Sequence, residues 1–106
     1  MKKISLLLLL MVLATNVYSQ NTGEKRAIKI TNEMSEVLSL DDDEKAKVYE
    51  IQLKRFYEVA SIRSTYAKDL ETKKAELKNV YNKLYKKLKG NLGKEKMKDW
   101  RIYKQK

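Results

Sequence analysis

Any chemistry in this chain has to be done with charge and aromatic rings, because the common reactive side chains are missing. Its 106 residues include no histidine and no cysteine, against 24 lysines and arginines and 14 aspartates and glutamates. Without those two types no Ser-His or Cys-His nucleophile can be assembled. Disulfides cannot form, and zinc, copper or nickel would lack their usual ligands. The acids that could still pair for acid–base work are interspersed with lysines at helical spacing, the pattern of a solvated helix face. The chain therefore reads as a non-enzyme with no cofactor, no catalytic residue and no metal site.

What is left is a surface that can bind. Arg55, Arg63, Lys73 and Lys74 interrupt the apolar side of a long helical pattern. Leu53, Phe56, Tyr57, Ile62 and Tyr66 lie among them. Apolar groups in such a mixture can hold hydrophobic segments of a partner, while the cations attract acidic ones and speed encounter. The competing reading is that the basic stems simply lie along the edge of a core with their heads in water. Tyr57 and Leu53 fall off the main stripe and are the better candidates for contacts outside a core. Tyr66, Tyr81 and Trp100 lie on the stripe and read as packing residues. Lys83, Lys86, Lys87 and Lys89 read as a solvated helix end.

The N-terminal residues set where such a surface would operate. Met1, Lys2 and Lys3 form a positive head, residues 4–13 are apolar apart from Ser5, and Val17 and Ser19 supply small side chains before a cut. This order predicts a cleavable signal peptide over residues 1–19 and a single domain over residues 20–106. The apolar run is too short to span a bilayer, which takes ~20 residues. Removing the first 19 residues leaves 87, with 22 cations and 14 acids, a net charge of +8. Basic charge commonly points to nucleic acid, but an exported chain leaves that partner behind. Acidic proteins, anionic membrane surfaces and anionic glycans remain as targets.

The elements that must carry these residues are all helical. There is no proline, and strand-like alternation is absent. Residues 20–23 read as a polar lead. A first helix is expected over residues 24–38, with Ala27, Ile30, Met34 and Val37 on one face. Asp41 is a good cap for the next helix, and Glu44 can return the bond three residues later. Val48, Val59, Ile62, Tyr66, Leu70, Leu77, Val80, Tyr81, Leu84 and Leu88 then stay on one side at ~100° per residue. That continuity predicts one long helix over residues 42–89, ~70 Å in length, with a bend near residues 61–65 or 71–74 as the alternative. Gly90 and Asn91 are expected to end it. A last helix is expected over residues 94–103, with Leu92 and Met97 at the spacing of a hydrophobic staple. Two short helices cannot cover so long a stripe, so an antiparallel homodimer is the expected way to bury it.

One layout occurs twice. Leu40, Asp41 and Glu44 are followed by Val48 and Ile51, and Leu92, Gly93 and Lys96 are followed at the same spacings by Trp100 and Tyr103. This resembles a degenerate form of the Leu-Thr-x-x-Gln repeat of the Spy/CpxP family of periplasmic chaperones and stress regulators. Leucine packs across a helix start, the threonine caps it, and the glutamine returns the cap. Asp41 and Glu44 stand in for the threonine and glutamine of the first copy. Gly93 and Lys96 lose the reciprocal bond in the second. The resemblance covers residues 28–103 and implies a thin helical dimer in the Gram-negative envelope. It also implies ATP-independent binding of unfolded or acidic envelope proteins through a basic and apolar face. Two other readings are carried with it: a regulatory partner of one envelope protein, such as a sensor's periplasmic domain, and an amphipathic protein bound to anionic membrane.

Overall fold

The computed structural model describes residues 17–106, with side chains from Thr22 onward. The charged and apolar parts of the expected signal peptide lie outside the described residues. Four α-helices follow in order: α1 Val17–Leu38, α2 Asp42–Thr65, α3 Leu70–Leu92 and α4 Lys94–Gln105. No strand occurs among the described residues, so the all-α class holds. The expected polar lead over residues 20–23 is instead part of α1. Gly23 lies inside that helix, where a Cβ would come within 3.2 Å of Tyr57 Cε1. Its missing side chain therefore lets α1 approach α2 closely.

α1 ends without a glycine. Ser39 takes the left-handed conformation with φ 53°, and the Leu40 N–H donates to Ser35 O at 3.1 Å. This is the 6→1 bond of a Schellman ending. Leu40 packs against the core, and two residues later, at Asp42, the chain re-enters a helix. Asp41 caps α2 as expected: its Oδ1 accepts the Glu44 N–H at 2.8 Å, and Glu44 Oε1 accepts the Asp41 N–H at 3.1 Å.

The single long helix expected over residues 42–89 is two helices. The chain turns at residues 66–69, and Asp69 caps the second helix. The Thr72 N–H donates to Asp69 Oδ1 at 3.1 Å, and the Thr72 hydroxyl to Oδ2 at 2.7 Å. The apolar phase did not betray the break for a simple reason. A turn of four residues takes up nearly the same length of sequence as a helical turn of ~3.6 residues. α3 therefore resumes almost in register with α2. The helix stop expected at Gly90 and Asn91 is also displaced. Both are helical, and the chain turns at Gly93, with φ 92° and its N–H donating to Lys89 O at 2.8 Å.

α2 occupies the middle. α1 packs on one side of it and α3 on the other, while α4 folds back against α1 and α3. The result is a plate of 45 × 37 × 22 Å. Its radius of gyration is 16.2 Å, where a compact chain of this length would have ~13 Å. The core sits at one end of the plate. Met34 and Leu38 of α1 meet Val48 of α2, Leu84, Leu88 and Leu92 of α3, and Met97 and Trp100 of α4. Leu92 and Met97 are both buried there, in keeping with the expected staple. The stripe expected to face a second copy is thus partly buried within one chain, by α3 folding back on α2. Tyr81 departs from its expected packing role and is 66% exposed.

Replacing Ser39 with glycine should stabilise the protein. A left-handed residue with a Cβ costs roughly 1–2 kcal/mol, and glycine returns part of that through its greater freedom when unfolded. A net gain of about 0.5–1 kcal/mol corresponds to a rise in Tm of about 2–8 °C. A calorimetric scan showing an unchanged or lower Tm would contradict the left-handed ending at Ser39.

Candidate binding cleft

The two copies of the repeated layout meet. Gly93 makes no side-chain cap bond, and Lys96 cannot return a cap, since its ammonium only donates. Its ammonium instead reaches Glu44 of the first copy, at 2.9 Å from Oε1 and 2.7 Å from Oε2. Glu44 thus closes its own capping box and holds the start of α4. The Lys96 hydrogen bond, followed by that from the Asp41 N–H, keeps the Glu44 carboxyl below the usual glutamate range. A second tie joins α4 to α1, where the Tyr103 hydroxyl donates to Glu33 Oε2 at 2.8 Å. That bond raises the Tyr103 phenol above its ordinary value.

These ties set α4 over a cleft of about 410 Å³ that all four helices line. Its floor is Ile30, Leu84, Leu88, Met97 and Trp100, with Tyr81 and Tyr85 on the α3 side. Arg55 enters from α2, and Arg101 and Lys104 from α4; no acidic residue lines it. Lys104 Nζ lies 5.5 Å from the Trp100 ring centroid, and Tyr103 stacks on the same indole at 5.4 Å. Arg55 is fixed from below. Its Nε–H donates to Oε1 of the buried Gln52 at 3.2 Å, and its guanidinium carbon sits 4.0 Å over the Phe56 ring. Gln52 uses its other end on Met34, with Nε2 3.6 Å from Sδ. Burial pushes the Arg55 guanidinium down from its ordinary value, yet arginine stays charged at neutral pH. The ion pairs among the described residues are Lys83–Glu58 and Lys96–Glu44, each at 2.7 Å. Arg55, Arg101 and Lys104 therefore face the cleft without a carboxylate partner.

The residues singled out from sequence do not converge on one site. Arg55 reaches the cleft. Phe56 and Tyr57 turn toward α1, where they flank Gly23. Leu53 is half-buried. Ile62 lines a separate hollow of about 310 Å³ between α2 and α3, with Glu58, Glu76 and Lys83. Arg63, Tyr66, Lys73 and Lys74 gather around the α2–α3 turn, where Arg63 and Lys74 are exposed and Tyr66 and Lys73 half-buried. Basic density continues along the α2–α3 seam, where repulsion from Lys54 pushes Lys87 below its ordinary value. Sequence reasoning missed Gln52, Arg101, Lys104 and Gln105. Lys104 is four residues beyond Trp100, the spacing that puts a cation beside an indole on a helix, and its ammonium lies over that ring; that signal was readable, whereas Arg101, the residue next to Trp100, had none. Gln52 is three residues before Arg55, a neighbour on the same helix face, but its burial beneath the guanidinium had no sequence signal.

On the opposite side, Ile28, Asn32, Ala46 and Tyr49 line a shallow hollow of about 340 Å³ between α1 and α2. The Thr31 hydroxyl is buried beside it without a hydrogen-bond partner. Among the described residues no group of three or more acids could hold a metal ion, and no helix is long and apolar enough to cross a membrane. No family model, curated protein or solved structure matches this chain.

Glu44 makes stability depend on acid. Its folded-state pKa is lowered below 4.5, so its contribution is complete above the unfolded value and is lost as pH falls through the folded one. Asp69, held below 3.8 first by the Thr72 hydroxyl, is lost in the same direction at lower pH. Thermal melts taken from pH 6 downward should show Tm falling below about pH 4.5. Glu44→Gln should lower Tm at pH 6 and flatten that part of the decline. An unchanged acid limb in Glu44→Gln would mean that the Lys96 contact contributes nothing in solution.

Proposed function

We propose that the protein is an exported, ATP-independent, chaperone-like binder of unfolded or stressed envelope proteins, of the kind its repeated layout resembles. The observation that carries this reading is the cleft, which sets an aliphatic and aromatic floor beneath three cations that no carboxylate neutralises. An unfolded chain offers the complement, apolar side chains interspersed with acids. The mechanism is weak contact at several points. The cleft takes one segment, and the cations at the hairpin tip, Arg63, Lys73 and Lys74, attract another. No nucleotide is needed, because release follows from the weakness of each contact. A periplasmic setting and a homodimer belong to the same proposal. The apolar side chains a second copy would cover include Leu70 of α3, 68% exposed and outside the cleft.

The purified protein should slow the aggregation of two unrelated unfolding proteins without ATP. Protection should weaken at high salt, since exposed cations act over ~10 Å at 0.1 M but only ~3 Å at 1 M. The triple substitution R63Q/K73Q/K74Q should reduce it several-fold at low salt with helicity unchanged. No protection at several-fold molar excess overturns the chaperone reading and favours a regulator of one envelope protein. Binding to anionic vesicles without protection of either client favours the membrane reading.

A further inference from the structure

We propose that the four-helix cleft is a site for a small amphiphilic carboxylate, an unbranched apolar chain ending in an acid, of the size of a medium-chain fatty acid. Three observations on the cleft lead there. Its volume, about 410 Å³, falls in the ~300–1,000 Å³ range of small-molecule sites. Its floor is Ile30, Leu84, Leu88 and Met97 with Trp100, so apart from the single indole N–H it offers a ligand's tail only apolar surface, which selects an apolar tail. Its cations sit apart from that floor on two elements, Arg55 on α2 and Arg101 and Lys104 on α4, with no acid among the lining residues.

Arg55 specifies the head group. A half-buried guanidinium with no carboxylate opposite is a costly arrangement that an incoming anion relieves. Its Nε–H is already committed to Gln52. The two outer nitrogens have no hydrogen-bond partner among the described residues and can take a carboxylate through the planar fork that arginine presents. Gln52 is buried and braced by Met34, so the fork is held in place before a ligand arrives. A cationic or uncharged amphiphile of the same chain length gains the floor but not the fork.

This inference goes beyond the client-binding reading, and the two can fail separately, because it concerns occupancy of the cleft and not protection of a client. Trp100 is the only tryptophan in the chain and lines the cleft, so its emission reports on the site directly. The purified protein is titrated with decanoate below its micelle concentration, with decyltrimethylammonium and acetate in parallel. Decanoate should shift Trp100 emission saturably at one site per chain, with the other two at least about tenfold weaker, the discrimination expected from one charge-assisted contact. Arg101→Gln, on the exposed face of α4, and Arg55→Gln should each weaken decanoate about tenfold, with helicity and the Glu44-dependent acid melt unchanged. Equal binding of decyltrimethylammonium overturns the proposal, as does undiminished decanoate binding in Arg101→Gln. A response only to an acidic, leucine-rich peptide also overturns it and assigns the cleft to polypeptide clients.

Discussion

One carboxylate couples the two halves of this fold. Glu44 accepts from Lys96 while closing the capping box with Asp41, so the start of α2 and the start of α4 are fixed at the same point. A capping glutamate satisfies an orphan backbone donor at the head of a helix. Here the same side chain also positions the last helix. With α4 held at that point, Met97 and Trp100 enter the core and Arg101 and Lys104 reach the edge of the cleft. The two helix starts are thereby joined in space. The second copy departs from the first at the residue whose charge the first copy can use.

The position of α2 governs the rest. A helix packed on both sides cannot confine its apolar residues to one stripe, and α2 has Val48 and Gln52 buried while Tyr57 faces α1 and Ile62 faces α3. Three helices side by side make a plate, and a plate has too little interior for its surface. The core is accordingly concentrated where α4 adds a second layer, and the α2–α3 turn extends beyond it with Leu70 exposed. The cleft forms at the margin of that second layer, where four helices meet but do not close.

Much of this was legible in residue types. Helical class, the Asp41–Glu44 cap, the Leu92–Met97 pair and the apolar face of α1 all follow from local rules that tertiary structure had no reason to override. The hairpin was not legible from the apolar stripe. Its signal lay in Asp69 and Thr72, a cap pair at ordinary spacing that an uninterrupted apolar phase concealed. Ser39 was missed because serine seldom adopts the left-handed conformation, and only the tight return into α2 requires it there. The binding residues were half legible. Arg55 could be singled out as a cation on an apolar side, but its assembly with Arg101 and Lys104 depends on a fold-back across Gly93 that no local pattern specifies.

The Glu33–Tyr103 and Glu44–Lys96 bonds span 70 and 52 residues. Apart from these bonds and the core contacts of α1 with α3 and α4, the fold joins neighbours in sequence: helices, then the α1–α2 and α2–α3 pairs. Loop closure over such distances carries an entropic cost that local contacts do not have to meet, and folding rate falls as contacts become more distant along the chain. The order of events follows from this arithmetic. The three-helix plate can assemble early from local pairings, while the cleft comes into being only when the last dozen residues return to the first helix. The cleft is thus the last part of the fold to close and the first to open when the C-terminal helix frays.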